Sequence, residues 1–254
     1  MHASSFKKAE LFVRHYAAAG KGSGAGGAVR VLEVGSKSYH AHDTFKSLFP
    51  APAYAYTGLD VEAGPNVDVV PADGYIWSEL ADNSFDVCIS GQTFEHNPYF
   101  WVTFSEMARV VRPGGHVFVV APGGGAVHRY PYDCWRFYPD SWLALCHLTG
   151  MTLLETYFEP DSMAVEVQGG KWRDSALIAS KPVLDAAAQE AMQLRLRALV
   201  APFKSLPFDL GPPVAGLGPC FSAYEAEMGG AKGGAVKKLS RRLKLARSTP
   251  IFER

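Results

Sequence analysis

Two histidines of the chain stand in loop segments where a side chain could transfer protons. His96 lies in the segment TFEHNP and His128 in AVHRYP, each shortly after an apolar run. A positioned imidazole is the usual general base for an oxygen nucleophile and contributes about 10²–10⁴-fold to the rate. We favour His128 as the base, with Asp133 to orient it. For His96, capping or packing beside a helix start is an open alternative.

The loop that contains His128 is also rich in groups that bind small polar molecules. Its sequence, HRYPYDCWRFYP, combines aromatic stacking faces with hydrogen-bonding groups. The predicted substrate-binding side chains are Tyr130, Tyr132, Trp135 and Arg136. The alternative is that the loop simply packs, with Phe137 as an apolar anchor and an internal Asp133–Arg136 ion pair that stiffens it.

Glycines and carboxylates follow the predicted strands at their carboxyl ends, the edge where sheets of this kind bind ligands. After the first strand, Gly35 lets the backbone approach a ligand closely. Asp60 ends the second strand, 25 residues later, where a carboxylate can accept hydrogen bonds from both hydroxyls of an adenosine ribose. Asp73 could reach an adenine amino group, although a plain turn is its alternative. The predicted cofactor-binding residues are Glu33, Gly35, Ser36, Asp60, Val61, Asp73, Gly74, Ser90, Gly91 and Gln92.

The elements that must position these residues alternate between strand and helix patterns. Continuous apolar runs are typical of strands that are buried on both faces of a parallel sheet. Seven strands are predicted, at 29–34, 54–59, 67–70, 85–90, 116–121, 151–158 and 175–180. Helices are predicted at 4–19, 41–49, 98–112, 139–149 and 184–199. Asn97 is the expected cap of the third helix, and Pro113-Gly114-Gly115 is its expected stop.

This alternation predicts an α/β fold, a doubly wound, Rossmann-like, seven-stranded sheet with helices on both faces. The two closing strands lack a convincing helix between them, so we expect a hairpin and an antiparallel last strand. A C-terminal helical extension follows. We divide the chain into an N-terminal helix with a Gly-rich linker (1–27), the α/β domain (28–182), and the extension with its basic tail (183–254).

Composition and charge exclude several classes of protein. The 254 residues are 48% hydrophobic and carry no net charge, which suits one large core and gives no general affinity for nucleic acid. The four cysteines lack zinc-binding spacing and no His/Asp/Glu cluster is evident, so no metal is predicted. The chain shows neither a signal core nor a membrane span, which favours a cytoplasmic location. A homodimer is left open.

Taken together, the strand-end segments resemble the class I S-adenosylmethionine-dependent methyltransferases, specifically the methyltransferase type 11 group. The resemblance covers roughly residues 29–180 and is carried by VLEVGS, YTGLDVEAGPNVDVV, SFDVCISGQTFEH and RVVRPGGHVFVVAP. It implies S-adenosyl-L-methionine as the cofactor and S-adenosyl-L-homocysteine as its product. The residues it implies around them are Glu33, Gly35 and Ser36 on the methionine and ribose side, Asp60 at the ribose and Asp73 at the adenine. It also places Glu95-His96 near the methyl-transfer site.

One departure from the family pattern bears on the cofactor. The usual loop reads E/D-x-G-x-G-x-G, whereas Lys37 and Tyr39 replace the later glycines here, which counts against a dinucleotide such as NAD. The segment HRYPYDCWRFYPDSW is similar to a stretch of members associated with glycan and other small-molecule modification. The leading hypothesis is therefore O-methylation of a sugar or other small-molecule hydroxyl. The alternatives are N- or C-methylation of another small metabolite, or a catalytically inactive binding protein with this fold.

Overall fold

A mixed sheet forms the centre of the molecule. The computed structural model describes residues 3–18, 22–23, 25–39, 44–129, 131–160, 170–211 and 219–230. Within these ranges the strands are β1 Val29–Val34, β2 Tyr54–Leu59, β3 Phe85–Gly91, β4 Val111–Pro122, β5 Thr152–Phe158 and β6 Asp174–Ser180. Their order in the sheet is β2-β1-β3-β4-β6-β5. β1 to β4 pair in parallel, and β6 runs antiparallel to both β4 and β5. The parallel sheet and the antiparallel last strand are confirmed.

Helices cover both faces of this sheet. These helices are α1 Ala3–Tyr16, α2 Phe100–Val110, α3 Pro139–Thr149 and α4 Ala186–Val200. A fifth helix, α5 Pro219–Gly230, belongs to a separate compact unit of the chain. α3 begins with its proline and ends at Gly150, whose φ of +77° is a left-handed C-cap that favours glycine. α4 is capped by Asp185, whose carboxylate accepts the Ala188 N–H at 2.9 Å.

Neighbouring residues of each central strand bury their side chains on opposite faces. Cys88 packs with α2, α3 and α4 in one apolar cluster, whereas Ile89 packs with α1 in the other. On the α1 face, the rings of Phe12 and Phe118 stack with centroids 5.1 Å apart. Burying a ring such as Phe12 contributes about 1.5–3 kcal/mol. Because α1 covers this face, it lies next to the strand ends that carry the predicted site.

The predicted third strand at 67–70 is wrong, and with it the count of seven. Only Val69 makes a bridge, to Leu59 of β2. The carbonyl of Gly58 accepts both the Asp68 and the Val69 N–H, at 2.8 and 3.0 Å, which breaks the regular ladder. Pro71 follows at once and has no N–H to extend the pairing. The valines therefore give a single bridge at the edge of the sheet.

Two helix predictions also need correction. α2 begins at Phe100, so Asn97 precedes it and its Oδ1 accepts the Tyr99 N–H at 3.0 Å. The helix ends at Val110 and β4 starts directly, so the Pro-Gly-Gly segment belongs to the strand. The described part of the predicted 41–49 helix contains only the 3₁₀ helix Lys46–Leu48, and 40–43 lie outside the described residues.

The chain separates into two compact units, Met1–Asp209 and Leu210–Arg254. The second unit contributes α5, and the basic tail at 231–254 lies outside the described residues. In the part of the chain that the structure describes, no helix combines the length and hydropathy needed to cross a membrane. The domain boundaries at 28 and 183 stay a prediction.

Candidate functional site

The turn after β1 has a backbone that only glycine accommodates easily. Gly35 has a φ of +78°, and its N–H donates to the Leu59 carbonyl at 2.9 Å. A Cβ at this position would lie 2.2 Å from Oγ1 of Thr93, so a larger residue would collide with the loop after β3. The glycine therefore allows the ends of β1, β2 and β3 to approach one another closely.

Asp60 lies beside this turn. Its Oδ2 accepts the N–H of Lys37 at 3.0 Å, and its Oδ1 accepts the N–H of Glu62 at 3.2 Å. Burial raises the pKa of Asp60, outweighing the opposite effect of these two N–H groups. Each carboxylate oxygen can accept more than one hydrogen bond. The half-buried carboxylate thus keeps acceptor capacity for two hydroxyls next to the Gly35 turn.

Glu33 is a buried structural carboxylate in this structure. It is 2% exposed and accepts the Phe45 N–H at 3.0 Å and the Tyr56 hydroxyl at 2.7 Å. Burial raises the pKa of Glu33 to about 7, although the hydrogen bonds from Tyr56 and Phe45 oppose the shift. The side chain therefore joins β1 to β2 and to the segment that follows the first turn.

The turn predicted to meet an adenine is fixed by its own aspartate. Asp73 Oδ1 accepts the N–H groups of Tyr75 and Ile76 at 2.9 and 3.1 Å, and its Oδ2 accepts that of Ser205 at 2.5 Å. Burial raises the pKa of Asp73, but these N–H groups outweigh it and the pKa lies below its ordinary value. Gly74, the next residue of the turn, is also predicted to bind the cofactor. It lies near Val61, because a Cβ built on Gly74 would be 3.9 Å from Val61 Cγ1.

Two serines predicted to line the cofactor use their hydroxyls inside the protein. Ser36 donates to the Asn66 carbonyl at 3.1 Å, and Ser90 donates to the Val34 carbonyl at 2.9 Å. Both residues are fully buried. Their side chains connect the strand ends, and their contact with a cofactor stays a prediction.

Gln92, which follows Gly91 at the end of β3, connects the site to the N-terminal helix. It has a φ of +54°, and its Nε2 donates to Ser5 Oγ at 2.9 Å and to Asp174 Oδ1 at 3.1 Å. Asp174 is fully buried and also accepts the Lys8 ammonium at 3.2 Å. Sequence reasoning missed this network because its members come from α1, the β3 end and β6.

A buried carboxylate that the sequence reasoning gave no chemical role lies at the other end of the site. Glu95 belongs to the 3₁₀ helix Phe94–His96 and is fully buried. Neither of its carboxylate oxygens has a hydrogen-bond partner among the described residues. Burial raises the pKa of Glu95 to about 8. Its Oε1 lies 3.6 Å from His96 Nε2, and the adjacent histidine was the only signal in the sequence.

The two predicted base histidines lie together. The rings of His96 and His128 are 4.9 Å apart at 82°, and His128 also packs on Trp172 with centroids 4.3 Å apart. His96 Nδ1 lies 2.5 Å from the Tyr132 carbonyl oxygen. Burial lowers the pKa of His96 below its ordinary value. A neutral imidazole is therefore favoured at this position.

Asp133 lies beside His128 and also pairs with Arg136. Its Oδ2 accepts the His128 backbone N–H at 2.7 Å and lies 3.4 Å from His128 Nδ1. Arg136 donates to the two carboxylate oxygens at 2.5 and 2.7 Å. Burial raises the pKa of Asp133, but Arg136 and the His128 N–H lower it further than burial raises it. The ion pair keeps the loop rigid around His128.

The predicted substrate-binding aromatic groups are only partly in place. Trp135 is 37% exposed, donates from Nε1 to the Asn97 carbonyl at 3.0 Å, and packs edge-on against Phe100. The Tyr132 hydroxyl donates to the Asp209 carboxylate. Tyr130 lies outside the described residues. Trp135 therefore offers part of its surface beside the histidines, whereas Tyr132 is anchored by a hydrogen bond.

Part of the chain is similar in sequence to known methyltransferases. Residues 21–119 match the methyltransferase type 11 family, described as a methyltransferase domain. An uncharacterized methyltransferase of Mycobacterium ulcerans is 37% identical over 82 residues, which cover 28% of this chain and 32% of that protein. One of Mycobacterium leprae is 31% identical over 111 residues, covering 37% of this chain and 39% of that protein. The chain thus spans about a third of the length of these curated relatives.

Solved structures share the fold at low identity. The 1,6-didemethyltoxoflavin-N1-methyltransferase of Burkholderia thailandensis, solved with S-adenosylhomocysteine, has a TM-score of 0.52 at 14% identity and covers 71% of this chain and 79% of its own. A SAM-dependent methyltransferase of Archaeoglobus fulgidus has a TM-score of 0.50 at 15% identity, covering 70% and 95%. The [4+2]-cyclase SpnF has a TM-score of 0.51 at 16% identity, covering 70% and 82%. Residues 21–119 therefore match a methyltransferase domain, and the chain has the fold of solved S-adenosylmethionine-dependent methyltransferases.

Proposed function

We propose that this protein transfers a methyl group from S-adenosyl-L-methionine to a hydroxyl of a small molecule, and that a saccharide is the favoured acceptor. The observation that carries the proposal is the position of Asp60, half-buried beside the Gly35 turn with hydrogen-bonding capacity to spare. The match of residues 21–119 to a methyltransferase domain supports the cofactor, and the acidic and imidazole groups that follow β3 and β4 support a hydroxyl acceptor.

The donor end of the site suits an adenosyl group. Asp60 would hold the ribose hydroxyls, and the turn at Gly35 would let the backbone lie against the ligand. The turn at Asp73-Gly74 and the side chain of Val61 would flank the adenine. When bound, the cofactor supplies an activated methyl group on a sulfonium, so the protein has to align the reactants and manage charge.

The acceptor end suits a group that must lose a proton. An oxygen nucleophile becomes reactive when its proton is removed, and three groups able to handle that proton lie together, Glu95, His96 and His128. Burial keeps the Glu95 side chain away from bulk water, and the His96 side chain is largely buried. The Asp133 carboxylate accepts the backbone N–H of His128 and so holds that residue in place. A bound hydroxyl would therefore meet a proton acceptor in a desolvated environment.

The surroundings of this end favour a saccharide among small-molecule acceptors. Trp135 leaves about a third of its surface exposed, and an aromatic face packs well against the C–H groups of a sugar ring. Arg136 and Asp133 stand one and two residues away and carry hydrogen-bonding groups that match hydroxyls. An aromatic wall next to paired charged groups is a common way to orient a polyhydroxylated ligand.

Calorimetric titration with S-adenosylhomocysteine tests the donor site. We expect saturable binding by the wild type and loss of most of that affinity in Asp60→Ala, because the variant removes both acceptors for the ribose. Asp140→Ala, at an exposed position on α3, is the matched control and should bind as the wild type does. No binding by the wild type would favour the inactive, scaffold-like alternative and overturn the proposal.

Turnover separates the acceptor classes. With cofactor bound, a panel of monosaccharides and phenols should yield O-methylated products, which mass spectrometry identifies by the gain of one CH₂. His128→Ala should lower turnover while leaving the affinity for S-adenosylhomocysteine nearly unchanged, because the histidine lies at the acceptor end. Exclusive methylation of nitrogen or carbon would contradict the proposed hydroxyl acceptor.

A further inference from the structure

Three side chains with metal-binding atoms converge at the acceptor end. Glu95, His96 and His128 each offer one ligand atom, and these atoms all lie within 4.8 Å of one another. The carboxylate of Glu95 is fully buried and has no hydrogen-bond partner among the described residues. Buried polar atoms in folded proteins nearly always have a partner. An unpaired carboxylate next to two imidazoles therefore points to a ligand that carries positive charge.

The spacing of the donors fits coordination better than a direct hydrogen bond. Glu95 Oε1 and His96 Nε2 are 3.6 Å apart, which is too far for a hydrogen bond between them. Two ligands at about 2.0–2.2 Å from a tetrahedral metal ion stand roughly 3.4 Å from each other. The pair is thus already close to the separation of two ligands of one ion.

The groups around the histidines are those that orient metal ligands. His96 Nδ1 lies 2.5 Å from the Tyr132 carbonyl, so Nδ1 carries the proton that it donates and Nε2 keeps its lone pair on the side of Glu95. His128 Nδ1 lies 3.4 Å from the Asp133 carboxylate. Histidines that bind metals almost always donate their second ring N–H to a carbonyl or a carboxylate. His96 has such a partner in the Tyr132 carbonyl, whereas His128 Nδ1 lies 3.4 Å from both the Asp133 carboxylate and the Arg136 guanidinium.

We propose that Glu95, His96 and His128 bind one divalent first-row transition-metal ion. Two imidazoles and one carboxylate suit Zn²⁺, Mn²⁺, Fe²⁺ and their neighbours, whereas Mg²⁺ and Ca²⁺ prefer all-oxygen sites. Three protein ligands leave at least one coordination position open, as in catalytic zinc sites. The sequence predicted no metal because the ligands come from two loops that are 32 residues apart in the chain.

The part that this ion plays in the reaction rests on the proposed function, whereas its binding does not. A divalent cation lowers the pKa of an oxygen ligand and so stabilises the charge that develops when a hydroxyl loses its proton. An acceptor hydroxyl at the open position would be activated in this way. The ion would then favour oxygen acceptors over carbon acceptors.

Titration of the tag-free, chelator-treated full chain with Co²⁺ tests the site, because visible absorption reports the geometry of bound Co²⁺ directly. We expect one ion per chain and a spectrum typical of nitrogen and oxygen ligands. Zn²⁺ should displace it, and a large excess of Mg²⁺ should not. Absence of saturable binding by the folded wild type, or displacement by Mg²⁺ at equal concentration, would overturn the proposal.

Variants locate the ion. Glu95→Gln and His128→Ala should each weaken Co²⁺ binding by about tenfold or more, whereas His147→Gln, at an exposed position on α3, should leave it unchanged. Circular dichroism verifies that each variant folds. If Glu95→Gln does not fold, the Co²⁺ affinity of His128→Ala tests the assignment, because this variant changes a partly exposed side chain. Equal affinity in wild type and His128→Ala would place the ion elsewhere and refute the assignment.

Two titrations keep this inference separate from the proposed function. Binding of Co²⁺ without binding of S-adenosylhomocysteine would support the metal site and overturn the proposed methyltransferase function. Binding of S-adenosylhomocysteine without Co²⁺ binding would do the reverse. If both bind, turnover should fall on chelation and return when Zn²⁺ or Mn²⁺ is added back.

Discussion

Replacing Glu33 with glutamine should change how the stability of the protein depends on pH. This side chain is 2% exposed and accepts hydrogen bonds from Phe45 and Tyr56. Burial raises the pKa of Glu33 from 4.5 to about 7 in the folded state. Between these two pH values the folded chain therefore binds more protons than the unfolded chain, so the free energy of unfolding falls as the pH rises.

The magnitude follows from the shift. One pKa unit corresponds to about 1.4 kcal/mol, so the shift of Glu33 amounts to about 3 kcal/mol. This contribution to stability is fully present below pH 4.5 and is lost as the pH rises through 7. A glutamine has no proton to lose in this range. The free energy of unfolding of Glu33→Gln minus that of the wild type should therefore increase by about 3 kcal/mol between pH 4 and pH 8.

Urea denaturation at a series of pH values, followed by tryptophan fluorescence, measures this difference. The hydrogen bonds that glutamine fails to reproduce shift all points equally, so only the slope matters. Glu190→Gln, at an exposed position on α4, should give a difference that does not vary with pH. A flat difference for Glu33→Gln as well would show that the folded carboxylate titrates normally and would refute the reasoning.

Two further substitutions test a tight backbone approach at the site and a buried ion pair away from it. Gly35→Ala should lower both the stability of the protein and its affinity for S-adenosylhomocysteine. The added Cβ would lie 2.2 Å from Thr93, and a positive φ costs a non-glycine residue about 1–2 kcal/mol more. Gly26→Ala is the control, since Gly26 has a φ of +65° and nothing within 4 Å of the added Cβ; it should show only the cost of the positive φ, and equal losses of stability in the two variants would contradict this account. Glu106→Ala should lower the free energy of unfolding by about 1–3 kcal/mol, since it leaves the buried Trp77 N–H without its acceptor and removes one of the two carboxylates that pair with Arg109; an unchanged free energy of unfolding in urea denaturation would contradict it.

Local signals in the sequence were accurate where a single element sets its own boundary. Pro139 and Gly150 delimit α3, because a proline and a left-handed glycine act on the backbone within a few residues. Buried apolar runs were likewise sufficient for β1 and β3, whose two faces are both covered. The physical information needed for these elements is contained within each segment.

The 67–70 segment shows where local pattern fails. Its valines have the composition of a strand, but whether a segment extends a sheet depends on the N–H and C=O groups of its neighbour. Gly58 gives its carbonyl to two successive N–H groups there, and the chain then reaches Pro71. Which N–H groups bond to this carbonyl depends on the tertiary geometry, and the β propensity of the segment does not contain that information.

The sequence by itself determined the α/β class, the parallel core with its antiparallel last strand, and the expectation that Asp60 and Gly35 meet at one edge of the sheet. These follow from periodicity and from the rule that parallel strands end at the same edge. Only the tertiary structure decided the rest of the site. It buried Glu33, Ser36 and Ser90 as internal partners, and it brought the unpaired Glu95 next to His128, because burial and the pairing of distant polar groups depend on which surfaces the folded chain brings into contact.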